Sequence, residues 1–302
     1  MSDTSRPLRE TSHPALYYQD MLGDGRRMER YRAAIKQVVG PGDVVVDLGT
    51  GLGVLAIMAA QAGAGKVYAV DVRPQVIPYA RRVVDANGFS DVISVIHSDA
   101  INLELPEPVD VIVNELIGDF GTDENIYECV QAVAARHLKP GGRVLPRHLS
   151  THLVAVSYAN EFRGVYCDPF QGINLACALD DEAPFEPAAV MHGLRHKPIE
   201  LTHGATVESI DFEKPLPVRE YEHQVSLEVS KEGELQGLVG YFHAELAPGI
   251  SIDNYPCYSG CHWVNWNWPV MPVRKVSVGD KLNGVLHTPP FNVANVWRWQ
   301  WC

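Results

Sequence analysis

Val44-Val45-Val46-Asp47-Leu48-Gly49-Thr50-Gly51-Leu52-Gly53 decides the fold. Its first residues form a near-continuous β-branched run, the pattern of a strand covered on both faces. The glycines turn that strand into a helix expected over Val54 to Ala62. The same rhythm continues in both directions. Upstream, apolar positions recur at helical spacing from Tyr17 to Val39, and Gly40-Pro41-Gly42 stops them. Downstream, strands are expected at Lys66 to Val70, Val92 to Ile96 and Val109 to Val113, each followed closely by an acid: Asp71, Asp99 and Glu115. Helices are expected at Gln75 to Asn87 and at Ile126 to Leu138, ahead of a turn at Lys139-Pro140-Gly141-Gly142. This alternation with short connections predicts an α/β, doubly wound, Rossmann-like parallel sheet.

Beyond Leu145-Pro146 the pattern changes to short strands and turns. Strands are expected at Leu149 to Val156, Gln224 to Val229, Leu238 to Leu246, Trp263 to Val264 and Lys281 to Leu286, which together read as an antiparallel β-barrel. The tail Val296-Trp297-Arg298-Trp299-Gln300-Trp301 alternates aromatic and polar residues and reads as a final strand closing that barrel. No internal repeat or low-complexity tract suggests a solenoid or a disordered arm.

The 302 residues carry 37 acidic and 25 basic side chains, a formal charge of -12 that argues against nucleic-acid or anionic-membrane partners and favours a cationic one. No apolar run approaches the roughly 20 residues of a membrane span, and the first residues lack the apolar core of a signal peptide, so a cytoplasmic location is expected. The six cysteines are scattered, as in a reducing compartment. Cys257, Cys261 and His262 lie close together, but no second cysteine pair follows and no metal site is expected. His192 and His196 have helical ligand spacing, yet Gly193 and Pro198 favour a loop with solvated histidines.

Gly49, Gly51 and Gly53, beside Asp47, let backbone amides and a helix N-terminus approach a cofactor at the end of the first strand. A dinucleotide fingerprint would have its third glycine at position 54, which is Val54. Asp71 is placed to accept from two ribose hydroxyls and Asp99 from an adenine amino group. The order of glycine turn, second-strand acid and third-strand acid resembles the class I methyltransferases, whose cofactor is S-adenosyl-L-methionine. The alternative is that Asp47, Asp71 and Asp99 only cap their strands.

A narrower resemblance begins with Val109-Asp110-Val111-Ile112-Val113-Asn114-Glu115, followed by Gly118 and then Glu124. This is similar to the double-glutamate loop of the protein arginine N-methyltransferase family. Met21-Leu22-Gly23-Asp24 with Arg27 and Tyr31 resembles that family's N-terminal helix; Leu238-Val239-Gly240-Tyr241-Phe242 resembles one of its barrel strands; and Cys261-His262-Trp263 stands where the family has Thr-His-Trp. The matches are collinear from about residue 17 to about residue 286.

The resemblance implies a role for each of these positions. Arg27 would bind the cofactor carboxylate, with Met21 on the same segment. Glu115 and Glu124 would clamp a guanidinium, Trp263 and Ile126 would border the substrate, and Asp24 with His262 would tie the N-terminal helix to the barrel, either as a purely structural ion pair or as a pair that also relays a proton. The chemistry suits these residue types. A guanidinium has a pKa above about 12 and is a poor nucleophile while its charge is delocalised. Two carboxylates can orient one nitrogen through charge-assisted hydrogen bonds and draw positive charge away from it. The resemblance also implies an N-terminal cofactor-covering segment over 1–40, a cofactor domain over 41–146 and a β-barrel domain over 147–302. A dimerisation arm near 157–186, with Phe162, Tyr166, Phe170 and Ile173, implies a homodimer.

The chain departs from the family where substrate choice is made. The aromatic lid motif ahead of Met21 is not recognisable and only Tyr17 and Tyr18 lie nearby; Ile101 falls where the family has an adenine-contacting glutamate; Cys261 replaces a threonine. These departures lean the expected substrate toward free arginine or a small guanidino metabolite. Protein-bound arginine is the alternative. A catalytically silent cofactor-binding partner and a nicotinamide oxidoreductase are the readings from other classes.

Overall fold

The computed structural model describes residues 13–158, 172–173, 190–192, 197–288 and 297–302. The N-terminal segment forms α1 (Pro14–Tyr17), α2 (Gln19–Gly23) and α3 (Gly25–Val38). The single helix expected from Tyr17 to Val39 is therefore broken at Tyr18 and at Asp24. The second break has a local cause, because the Asp24 side chain accepts the Arg27 amide at 3.0 Å and starts a new helix as its N-cap.

The strands that follow are β1 (Val44–Leu48), β2 (Lys66–Asp71), β3 (Ile93–His97), β4 (Val109–Asn114) and β5 (Leu138–Leu145). They pair in parallel in the order β3-β2-β1-β4-β5. Between them run α4 (Val54–Ala62), α5 (Ile77–Ala86), a 3-10 turn (Ala100–Asn102) and α6 (Ile126–His137). Val45, Val46, Leu48, Val111, Ile112 and Val113 are almost wholly buried, so the central strands are apolar because both faces are covered. The strand order reverses between β1 and β4, and the crevice beyond their carboxyl ends is where such sheets receive ligands. The expected turn at Lys139 to Gly142 lies within β5, as an irregularity: Val109 pairs with Leu138, but Val111 pairs with Arg143.

The second half contains β6 (His148–Ser157), β7 (Val190–His192), β8 (Ile199–Glu200), β9 (Ala205–Asp211), β10 (Glu222–Glu228), β11 (Gly233–Ala247), β12 (Ile250–Asp253), β13 (Asn265–Val276), β14 (Lys281–His287) and β15 (Arg298–Trp301). One curled antiparallel sheet runs β7-β13-β11-β6-β8, with β12 on β11 and β9 on β6; a second sheet runs β10-β14-β15. Together they make a half-barrel. Leu153, Leu238 and Trp268 of the first sheet share a core with Val225, Leu286 and Trp299 of the second, and the tail strand pairs with β14. His192 lies in β7, a strand where a loop was expected.

No strand forms at Trp263-Val264. The Val264 amide donates to Asp119 Oδ1 at 2.9 Å and its carbonyl accepts from Asn254 Nδ2 at 3.0 Å, so main-chain groups that would enter a ladder are bonded to side chains, and β13 starts at Asn265; the Trp263 indole donates to the Ile117 carbonyl at 2.9 Å. The proposed arm near 157–186 falls mostly outside the described residues. No described helix is long and apolar enough to cross a membrane.

Candidate active site

The site is assembled where the turn after β1, the loop after β4 and the N-terminal helices meet the curled sheet. Gly49, with φ 71°, lies so close to Leu116 that a Cβ would come within 2.7 Å of the leucine side chain. Gly51, with φ 55°, is covered by the Tyr18 ring, which a Cβ would approach to 2.8 Å. These positions need glycine for conformation and for close approach. Gly53 is the N-cap of α4. Asp71 accepts the Gly51 amide at 2.9 Å through Oδ2 and the Arg73 amide at 2.9 Å through Oδ1, which fixes the carboxylate beside the turn. Arg73 lies over the Tyr17 ring at 4.8 Å, Tyr17 packs edge-on against Tyr18 at 5.1 Å, and the buried Tyr18 covers the glycine turn.

Asp47 is fully buried, and its Oδ2 accepts the Thr50 hydroxyl at 2.6 Å. Burial pushes its carboxyl up to about 7, against the opposing hydrogen bonds from Thr50 and Ala56. Asp99 is exposed, and its Oδ1 accepts the Ile101 amide at 2.9 Å as the cap of the 3-10 turn.

Arg27 and Glu115 form a buried ion pair, their side chains 7% and 11% exposed. Arg27 Nη1 also donates to the Met21 carbonyl at 2.8 Å. Its guanidinium lies between the rings of Tyr31 at 5.9 Å and Trp263 at 5.6 Å, and the Tyr31 hydroxyl donates to the Asn114 carbonyl at 3.2 Å. Burial raises the Glu115 carboxyl, with Arg27 pulling against it. Burial works against the Arg27 charge too, but Glu115 and then Tyr31 outweigh it and hold the guanidinium protonated.

Asp24 is fully buried and binds more than its helix. Its Oδ2 accepts the Tyr258 hydroxyl at 2.7 Å and the His262 backbone amide at 3.0 Å. The structure thus brings Asp24 and His262 together through the main chain, and Tyr258 is a partner that sequence reading missed. Its only signal was its place between Cys257 and Cys261.

The loop after β4 is held by the curled sheet along its length. Phe120 is buried against Trp268 and Trp297, with ring centroids at 5.5 and 5.2 Å, and Asn254 donates to the Asp119 carbonyl at 2.7 Å. Glu124 emerges exposed at the far end, before the N-cap Asn125 of α6. Trp263 and Ile126 are 3% and 0% exposed: the first packs beneath Arg27, the second in the core at the start of α6. Among the described residues, no group of three or more His, Cys, Asp or Glu side chains is placed to hold a metal ion, and the Cys257 thiol donates to Asn265 Oδ1 at 3.1 Å.

Four buried polar atoms near the turn and the ion pair lack protein partners: Tyr18 Oη, Arg27 Nε, Asp47 Oδ1 and Glu115 Oε1. Such atoms are costly unless a ligand or water satisfies them. Both a donor and acceptors are represented, which suits a zwitterionic polar cofactor.

Residues 32–145 match the family model described as ribosomal protein L11 methyltransferase (PrmA). An Arabidopsis thaliana protein named probable protein arginine N-methyltransferase 6 is 40% identical over 147 residues, covering 48% of this chain and 34% of that protein. The chain thus matches about a third of that relative's length. The solved structure of Arabidopsis thaliana protein arginine methyltransferase 10 superposes with a TM-score of 0.74 at 29% identity, covering 90% of this chain and 87% of that one. The chain is similar in sequence and in fold to protein arginine N-methyltransferases. A Streptomyces achromogenes protein named arginine N(omega)-methyltransferase is 28% identical over 268 residues, covering 87% of this chain and 73% of that protein. These relatives carry names that refer both to protein arginine and to arginine itself.

Proposed function

We propose that the chain is an S-adenosyl-L-methionine-dependent N-methyltransferase acting on an arginine guanidino nitrogen. The observation that carries this reading is the buried Arg27 to Glu115 pair at the strand reversal, flanked by unpartnered Arg27 Nε and Glu115 Oε1. One charge suits a cofactor carboxylate and the other a substrate cation.

S-adenosyl-L-methionine, when bound, supplies an electrophilic methyl group on a sulfonium. Arg27 would hold its carboxylate, Asp71 its ribose hydroxyls, and the amides of the Gly49 to Gly53 turn the approach to its polar end. Glu115 and Glu124 would orient the guanidinium and draw its positive charge from the reacting nitrogen. Tyr18, over the glycine turn, and Tyr17 packed against it would exclude water. Asp24 holds the His262 main chain at the seam between the helices and the curled sheet, and the His262 ring would receive the proton released by the product.

The substrate side leans to free arginine or a small guanidino compound. The Streptomyces relative, matched over 73% of its length, supports that choice, as does the departure from the family's aromatic lid motif ahead of Met21. Protein arginine is the second reading, supported by the names of the Arabidopsis relatives. The apolar residues Phe162, Tyr166, Phe170 and Ile173 support a homodimer, which light scattering at micromolar concentration tests. Mass spectrometry after incubation with labelled S-adenosyl-L-methionine, offering free arginine and an arginine-rich protein in parallel, decides the substrate. Label in free arginine alone supports the first reading, and label in the protein alone replaces it with the second.

A further inference from the structure

We infer that Glu208 and Arg219 are positioning residues for Glu124, a buried pair that fixes from both sides the segment carrying the second clamp carboxylate. The inference rests on reading Glu115 and Glu124 as a guanidinium clamp. Thr122, two residues before Glu124 and 2% exposed, donates its hydroxyl to Glu208 Oε2 at 2.6 Å. Glu128, four residues after Glu124, accepts from Arg219 Nη1 at 2.8 Å. Arg219 Nε in turn donates to Glu208 Oε1 at 3.2 Å. The contacts form one chain, Thr122 to Glu208 to Arg219 to Glu128, that spans Glu124 from outside its own loop.

The brace is itself rigidly held. The Arg219 and Glu208 side chains are 4% and 6% exposed, and the Glu208 amide donates to Thr151 Oγ1 on β6 at 3.1 Å. The Arg219 guanidinium lies near the rings of Tyr127 at 5.7 Å and Tyr221 at 5.5 Å. His223 approaches Glu208 Oε1 at 3.8 Å, but burial lowers its pKa and favours the neutral ring. Two carboxylates against one guanidinium is an expensive arrangement to bury, and an apolar plug would often be at least as stable. What the charged chain adds is direction, because it sets where the Thr122 hydroxyl and the first turn of α6 must lie.

A second observation points the same way. Asn125, next to Glu124, has φ 62° and is the one non-glycine with positive φ among the described residues. Asparagine adopts this left-handed conformation more readily than other side chains, so the residue at 125 suits the sharp turn into α6 that the brace holds. The earlier part of the loop is fixed by Phe120, Trp263 and Asn254; the end at the start of α6 is fixed by Glu208 and Arg219.

The test compares Thr122→Val, Thr122→Ser and Glu208→Gln in the full chain. Thr122→Val keeps volume while removing the hydroxyl, so it folds even if Glu208→Gln does not. Hydrogen exchange across 122–125 should quicken about tenfold in Thr122→Val, the loss of one hydrogen bond to a charged group. In labelled-methyl kinetics its kcat should fall roughly tenfold or more, with cofactor KM within about twofold, because misplacement affects the reacting geometry. Thr122→Ser should restore both. Wild-type exchange, or faster exchange with unchanged kcat, in Thr122→Val overturns the inference. A wild-type chain that binds cofactor but methylates nothing overturns the clamp reading, and exchange alone then decides whether the brace exists.

Discussion

Arg27 and Glu115 neutralise each other across the seam between the N-terminal helix and the end of β4. Each is the charge that one of the two proposed ligands would seek. Before either ligand arrives, the pair spares the protein two isolated buried charges; afterwards, each side chain retains an unpartnered atom with which to bind.

Glu115→Gln should abolish detectable methyl transfer and leave cofactor binding intact, because it removes charge with little change in volume. It also leaves Arg27 without its counter-charge, so the cofactor-free variant should lose up to about 3 kcal/mol. Added S-adenosyl-L-methionine should then raise the melting temperature more than it does for wild type. Scanning fluorimetry with and without cofactor reads both effects.

Arg27→Met should weaken cofactor binding roughly 10- to 100-fold, the worth of a charge-assisted hydrogen-bonded contact. Isothermal titration calorimetry measures it. Affinity within twofold of wild type would remove Arg27 from the cofactor site.

The central parallel strands were legible because their chemistry is local and continuous: Val44 to Leu48 and Val54 to Ala62 form the expected elements. Glu115 stood out as an acid closely following a strand, and Arg27 only through the family resemblance of its helix. Their direct pairing was not legible, because it joins segments far apart in sequence. The Asp24 break was hidden inside helical periodicity, and the Trp263-Val264 strand was lost to hydrogen bonds between the Val264 main chain and the Asp119 and Asn254 side chains. Glu208 and Arg219 carry no motif; only tertiary contact with Thr122 and Glu128 reveals them.

The cofactor-free protein should lose stability as pH rises from about 4 to about 7. Folded Asp47 has its carboxyl pushed up to about 7, whereas an unfolded aspartate titrates near 3.9. Between those values the unfolded chain has released its proton and the folded chain has kept it, so rising pH favours unfolding, by up to roughly 4 kcal/mol. Asp47→Asn removes this contribution, and its melting temperature relative to wild type should rise between pH 5 and pH 8. Asp123, also raised to about 7 by burial, leaves a residual slope in the variant. Parallel pH curves for the two proteins would contradict the assignment.

Asp24→Ala removes a helix cap and the acceptor for Tyr258 and the His262 amide together. It should cost at least about 3 kcal/mol, against about 1–2 kcal/mol for Tyr258→Phe. Urea unfolding compares them, and equal losses would mean that Asp24 serves Tyr258 alone.

Single-turnover transfer of labelled methyl, followed by mass spectrometry, tests the central claim most directly when wild type, Glu115→Gln and Glu124→Gln are compared. For a guanidinium clamp, label should appear on a guanidino nitrogen with wild type, and each variant should lose transfer while keeping cofactor binding. No label in free arginine or in an arginine-rich protein with wild type, or near-normal transfer by either variant, would contradict the clamp.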